Sequence, residues 1–161
     1  MTISVGDKLP DIQLVKATPD GPQPVQSGDY FAGKTVALFS VPGAFTPTCS
    51  ARHLPGYVEK AEELKAKGID EIACTAVNDA FVMGAWQQAG DASAVTMLAD
   101  GNGDFAQATG LSQDSSAFGM GKRGQRYSMI VEDGVVKELN VEEPGDFSVS
   151  SADHMLGQLQ G

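Results

Sequence analysis

Cysteine is scarce in this chain, with Cys49 and Cys74 alone among 161 residues. Two cysteines cannot build a disulfide framework, and neither belongs to a C-x-x-C pair. Histidine is equally scarce, limited to His53 and His154, which leaves too few soft ligands for a structural zinc site. Basic charge is short as well: 11 Lys and Arg stand against 21 Asp and Glu, for a net charge of −10. A surface that acidic repels phosphate backbones and anionic headgroups, and no basic cluster offsets it, so neither nucleic acid nor membrane is expected as a partner. No apolar run approaches the roughly 18 residues needed to span a bilayer. Asp7, Pro10, Asp11 and Asp20 break up the first thirty residues, which therefore lack a signal peptide's apolar stretch. The expectation from these absences is an untargeted, soluble, cytoplasmic protein.

The chain does have material for one core. Its hydrophobic content is 42%, at a length that suits a single domain over residues 1–161. Helical and strand patterns alternate, which predicts an α/β fold. The apolar run Thr35–Val41 is of strand length and of the type buried on both faces of a sheet. A helical stretch follows, with Leu54, Tyr57, Val58, Ala61 and Leu64 at three- and four-residue spacing and Gly68 placed to stop it. Pro55 inside that stretch predicts a kink or break. Ile72–Val77 reads as a second strand, with Asn78 or Asp79 capping a helix toward Gly90. Thr96–Ala99 reads as a strand and Phe105–Thr109 as a helix ended by Gly110. Tyr127–Val131 and Val135–Val141 flank Asp133-Gly134, a two-residue hairpin signal. Ser150–Asp153 offers a capping box for a last helix with Met155, Leu156 and Leu159. Strand, helix, strand, helix, hairpin, helix is the order of a thioredoxin-like fold: a central mixed sheet flanked by helices, here with N-terminal and middle insertions.

The chemistry concentrates around Cys49, at the end of Val41-Pro42-Gly43-Ala44-Phe45-Thr46-Pro47-Thr48-Cys49-Ser50. This segment joins a buried strand to a helix. A cysteine in a first helical turn meets unpaired backbone N–H groups and the positive end of the dipole, both of which favour thiolate over thiol. Pro42, Gly43 and Pro47 would form a rigid collar, and Thr46 offers a hydroxyl three residues from the sulfur.

The string Pro-Gly-Ala-Phe-Thr-Pro-Thr-Cys-Ser resembles the peroxidatic-cysteine signature of peroxiredoxins, whose core is Pro-x-x-x-Thr-x-x-Cys. With Arg52-His53-Leu54-Pro55-Gly56-Tyr57 after it, the segment resembles the type II, peroxiredoxin-5-like subfamily. Further blocks continue the resemblance in family order: Val5–Pro10, Asp70–Cys74 with Val77-Asn78-Asp79, and Arg126–Ile130. The resemblance implies a thiol peroxidase acting on hydrogen peroxide and small alkyl hydroperoxides through a sulfenic acid, without metal, haem or flavin. It makes Cys49 the peroxidatic nucleophile, with Thr46 holding peroxide and thiolate. Arg126 would steady the sulfur and the breaking O–O bond, while Pro42, Gly43, Phe45 and Thr48 would form the substrate pocket. It also implies a homodimer.

Cys74 is the one candidate for a resolving cysteine. Its place within a strand, with Cys49 beyond the end of another, predicts a separation well over the ~7 Å that a disulfide tolerates. Cys74 is therefore expected to be structural, and Phe147–Ser151 supplies no cysteine near the C-terminus. An external thiol would then recycle Cys49, with glutathione and glutaredoxin the leading reductant and thioredoxin the next. Two other functions use the same thiol. One is a peroxide sensor or redox interaction protein without sustained turnover; the other is a cysteine hydrolase with His53, four residues on, as base. Phe45, Phe81, Trp86 and Phe118 are candidates for a pocket rim, a subunit contact or ordinary packing.

Overall fold

The computed structural model describes residues 2–159. A first hairpin pairs β1 (Gln13–Thr18) with β2 (Gly21–Gln26), and α1 (Ser27–Phe31) leads to β3 (Thr35–Ser40). A widened helical turn, Cys49–His53, continues into α2 (Leu54–Glu59) and α3 (Ala61–Ala66). Next come β4 (Glu71–Ala76), α4 (Ala80–Ala89), β5 (Val95–Ala99) and α5 (Asp104–Thr109). A short pair, β6 (Ser112–Asp114) and β7 (Lys122–Gly124), precedes the hairpin β8 (Tyr127–Glu132) and β9 (Val135–Val141), and α6 (Ala152–Leu159) follows.

Seven strands form one sheet in the order β2-β1-β5-β4-β3-β8-β9. The centre is parallel, with Phe39 opposite Cys74 and Cys74 opposite Met97, and β8 runs antiparallel to β3. Alternation along the strands feeds two cores. Ala37, Phe39, Val41, Ile72 and Met97 face α2, α3, α4 and α6, burying Leu54, Tyr57, Leu64, Trp86 and Met155. Val36, Leu38, Ala73, Leu98 and Met129 face α1 and α5, burying Phe31 and Phe105. Coverage of both faces explains why β3 reads as an unbroken apolar run.

The predicted elements are present with shifts of a residue or two, and the first hairpin is an addition. Its β2 carries Pro22 and Pro24 and is an edge of the sheet, where a missing N–H costs no ladder bond. Asp133 and Gly134 turn the β8–β9 hairpin with φ of 50° and 80°, the left-handed pair of a type I′ turn. Two expectations need correction. Ser150 does not cap α6: Ser151 Oγ accepts from His154 N, while Ser150 turns inward to Glu142. Nor does the helix simply kink at Pro55. Pro55 brings no N–H to the preceding turn, which widens so that Leu54 N reaches back to Cys49 O, and the break falls later, at Lys60.

Asp79 caps α4 by accepting from Val82 N at 2.9 Å. Asp79→Ala is expected to lower the unfolding free energy by about 1 kcal/mol in urea denaturation, with an unchanged m-value.

Candidate active site

The segment after β3 turns at Gly43–Thr46, and the helix begins at Pro47, so Thr46 takes the capping position and Cys49 lies in the first turn. Ser50 N donates to Thr46 O to start the helix. Pro47 suits the first helical position, where its absent N–H has no partner to lose. The Cys49 sulfur is fully buried, yet two polar groups meet it: Thr46 Oγ1 at 2.8 Å and Arg126 Nη2 at 3.0 Å. Arg126 comes from just ahead of β8, which the sheet sets beside β3. Thr46 Oγ1 also lies 2.7 Å from Gly43 O. A hydroxyl has one proton to donate, so it serves the sulfur when the sulfur is ionised and the carbonyl otherwise.

His53 holds the guanidinium. Its Nδ1 accepts from Arg126 Nη1 at 2.8 Å, and its Nε2–H donates to Ser150 O at 3.0 Å. The widened turn sets Cys49 and His53 toward the same cation. Burial, and then the Arg126 charge, push the His53 pKa down to about 3, so the ring is neutral. Both ring nitrogens are engaged, which leaves none to act as the base of a cysteine hydrolase. Ser150 is held in turn by Glu142, which accepts from Ser150 Oγ at 2.6 Å and from Ser150 N and Ser148 N. Burial raises the Glu142 pKa, but these hydrogen bonds, led by Ser150, outweigh it and leave the carboxyl below its ordinary value. A bonded chain therefore runs from Glu142 through Ser150, His53 and Arg126 to the sulfur. The Phe147 ring closes one side, 4.9 Å from the His53 ring and 5.9 Å from the Arg126 guanidinium carbon.

Beside this chain lies a cavity of about 120 Å³ lined by Pro42, Thr48 and Arg126 together with Glu142–Asp146 and Gln113. Of the four residues expected in the substrate pocket, Pro42 and Thr48 line this cavity. Gly43 instead backs Thr46: a Cβ there would come within 3.1 Å of Thr46 Cγ2. Phe45 points outward, 53% exposed. Trp86 is buried and donates to Ser50 Oγ at 3.0 Å, while Phe81 and Phe118 stay on the surface. Cys74 is fully buried in mid-β4, and burial, then the neighbouring Cys49, push its thiol pKa well up. Sequence reasoning missed the Glu142–Ser150 latch and Phe147. It put His53 on the right helical face, without its partner. No local pattern marks such contacts, since each joins positions from separate elements.

The neutral, buried His53 gives a signed pH dependence. Unfolded histidine takes up a proton near pH 6.5, whereas the folded ring resists to about 3. The stability it contributes is complete above the unfolded value and is lost as pH falls toward the folded one. Urea denaturation should show the wild type losing about 1.5 kcal/mol more than His53→Gln between about pH 6.5 and about pH 5. Parallel curves for the two proteins would contradict this.

Residues 4–156 match the family model described as Redoxin. Peroxiredoxin-2E-2, chloroplastic, of Oryza sativa subsp. japonica is 53% identical over 165 residues, covering 98% of this chain and 73% of that protein. Among solved structures, reduced Prx3 of Vibrio vulnificus in complex with hydrogen peroxide superposes with a TM-score of 0.95 at 51% identity, covering 98% of this chain and 99% of that one. The Plasmodium falciparum antioxidant protein, a 1-Cys peroxiredoxin, superposes with a TM-score of 0.91 at 26% identity, covering 98% and 99%. With a buried sulfur set between a hydroxyl and a guanidinium on a thioredoxin-like sheet, this chain belongs to the Redoxin family as a peroxiredoxin of the type II kind, a thiol peroxidase.

Proposed function

We propose that Cys49 is the peroxidatic nucleophile of a one-cysteine peroxidase. The observation that carries this reading is the pair of donors on one buried sulfur, Arg126 Nη2 at 3.0 Å and Thr46 Oγ1 at 2.8 Å. The thiolate lone pair forms the S–O bond with one peroxide oxygen, and the O–O electron pair leaves with the other as alkoxide or hydroxide. That oxygen takes a proton and departs as alcohol or water. Arg126 donates toward the charge that develops along the breaking bond, and Thr46 holds sulfur and peroxide in line. The 120 Å³ cavity beside Arg126 and Thr48 is a few water volumes, a size that suits hydrogen peroxide and small alkyl hydroperoxides.

Return to the thiolate uses an external thiol, which attacks the sulfenic sulfur, releases water and leaves a mixed disulfide for a second thiol to reduce. Glutathione with glutaredoxin is the leading reductant and thioredoxin the next. Cys74 sits in mid-β4 without the hydroxyl and guanidinium that meet the Cys49 sulfur, which supports a single working cysteine, as does the likeness to the 1-Cys Plasmodium protein. Two free thiols are in keeping with a reducing, cytoplasmic compartment. The whole chain is read as one domain. Phe45, Phe81 and Phe118, exposed to 53, 74 and 82%, supply apolar surface for a homodimer.

Parallel assays of peroxide consumption, one with glutathione and glutaredoxin and one with thioredoxin and its reductase, test this reading. Cys49→Ser is expected to abolish turnover and Cys74→Ser to retain it; equal loss in both would overturn the one-cysteine scheme. Thr46→Val is expected to lower kcat/KM for peroxide by roughly 10- to 100-fold, the value of one hydrogen bond to a charged group. Single oxidation of Cys49 with no recycling by either system would turn the reading to a sensor.

A further inference from the structure

The turn that delivers Thr46 is conformationally expensive. Phe45 adopts φ of +65° at the third position of the turn Gly43–Thr46, the left-handed region that favours glycine or asparagine. Its ring is half exposed, so burial within the chain does little to offset the strain. Inside the turn, Thr46 N donates to Gly43 O at a long 3.4 Å. Apart from its bonds to the helix it leads into, the turn makes one hydrogen bond to another segment among the described residues: Ala44 N donates to Asn78 Oδ1 at 2.9 Å. The Asn78 loop is itself braced, because the half-buried Arg123 donates to Val77 O and to Met120 O. Arg123 Nη1 also stands 3.5 Å from where a Cβ on Gly43 would lie. Pro47 adds a constraint from the far side, since the residue before a proline is kept out of the helical region.

We infer that Asn78 is a positioning residue for the peroxidase reaction: by fixing Ala44 N it holds Phe45 in its left-handed conformation and so sets the Thr46 hydroxyl on the Cys49 sulfur. Asn78 touches neither sulfur nor substrate and acts through the turn. The carboxamide suits the task. Its oxygen accepts from a backbone amide without adding a negative charge to the loop bonded to the turn. The inference rests on Cys49 and Thr46 acting as proposed above.

The test is a double-mutant cycle on the full chain. Asn78→Ala is expected to lower the second-order rate of Cys49 oxidation by peroxide about tenfold, with the maximal rate of the thiol-dependent recycling step unchanged. Phe45→Gly makes the left-handed conformation inexpensive, so in that background the loss caused by Asn78→Ala should shrink below threefold. A merely structural role for Asn78 would give the same loss in both backgrounds, and that result would overturn the inference, as would a wild-type oxidation rate in Asn78→Ala. Should Asn78→Ala not fold, Asn78→Ser, whose side chain is too short to reach Ala44 N, carries the same comparison. Thr46→Val measured alongside separates the two readings: if it has no effect the site assignment fails, and if it alone is slow the Asn78 inference fails.

Discussion

A sulfur with no exposed surface can hold negative charge only if something inside the protein balances it, and here that counterweight is the Arg126 guanidinium 3.0 Å away. The structure takes care not to neutralise that cation. Among the described residues no carboxylate pairs with Arg126; its other nitrogen is held by an uncharged imidazole. A carboxylate in the place of His53 would orient the guanidinium equally well and would cancel its charge. Glu142, the acid of that hydrogen-bonded series, is kept two links back, where it fixes Ser150 and through it the His53 ring.

The same demand accounts for the widened turn. A regular helix through residues 49–53 would need an N–H at Pro55 to bond Ala51 O, and proline has none. The turn relaxes instead into the longer Leu54-to-Cys49 bond. Sulfur and imidazole thereby meet Arg126, which arrives from just ahead of β8, the strand neighbouring β3. Fold and site are tied at this point: the parallel centre of the sheet ends at the loop bearing Thr46, and the antiparallel β8 supplies the arginine from the opposite chain direction.

Much of this was legible in the sequence. Periodicity disclosed the central strands and most helices, because those elements are built from local repeats that the two cores on either side of the sheet impose. Asp133-Gly134 and Gly110 disclosed their turns because each needs a left-handed residue. The first hairpin escaped notice because its outer strand is polar and broken by Pro22 and Pro24, which only an edge position tolerates. A long motif singles out Cys49, Thr46 and Arg126, which the structure brings together at one sulfur, whereas Glu142, Ser150 and Phe147 come together only through tertiary structure. Ser150 was misread for a related reason: a serine ahead of a helix looks like a cap, and the competing demand of Glu142 lies across the fold. The family resemblance points to Gly43 and Phe45 as pocket residues; in the structure the first serves as clearance for Thr46 and the second turns outward from a strained backbone.

The chain contains one tryptophan, and the polar end of its indole is bonded to Ser50, the residue next to Cys49. All indole emission therefore arises from a single ring in a dry core, with its one hydrogen bond anchored on the widened turn. Any change in that turn would alter the polarity the indole senses. Emission from that one ring is thus tied to the turn that carries Cys49, and it is readable without a dye or a coupled enzyme.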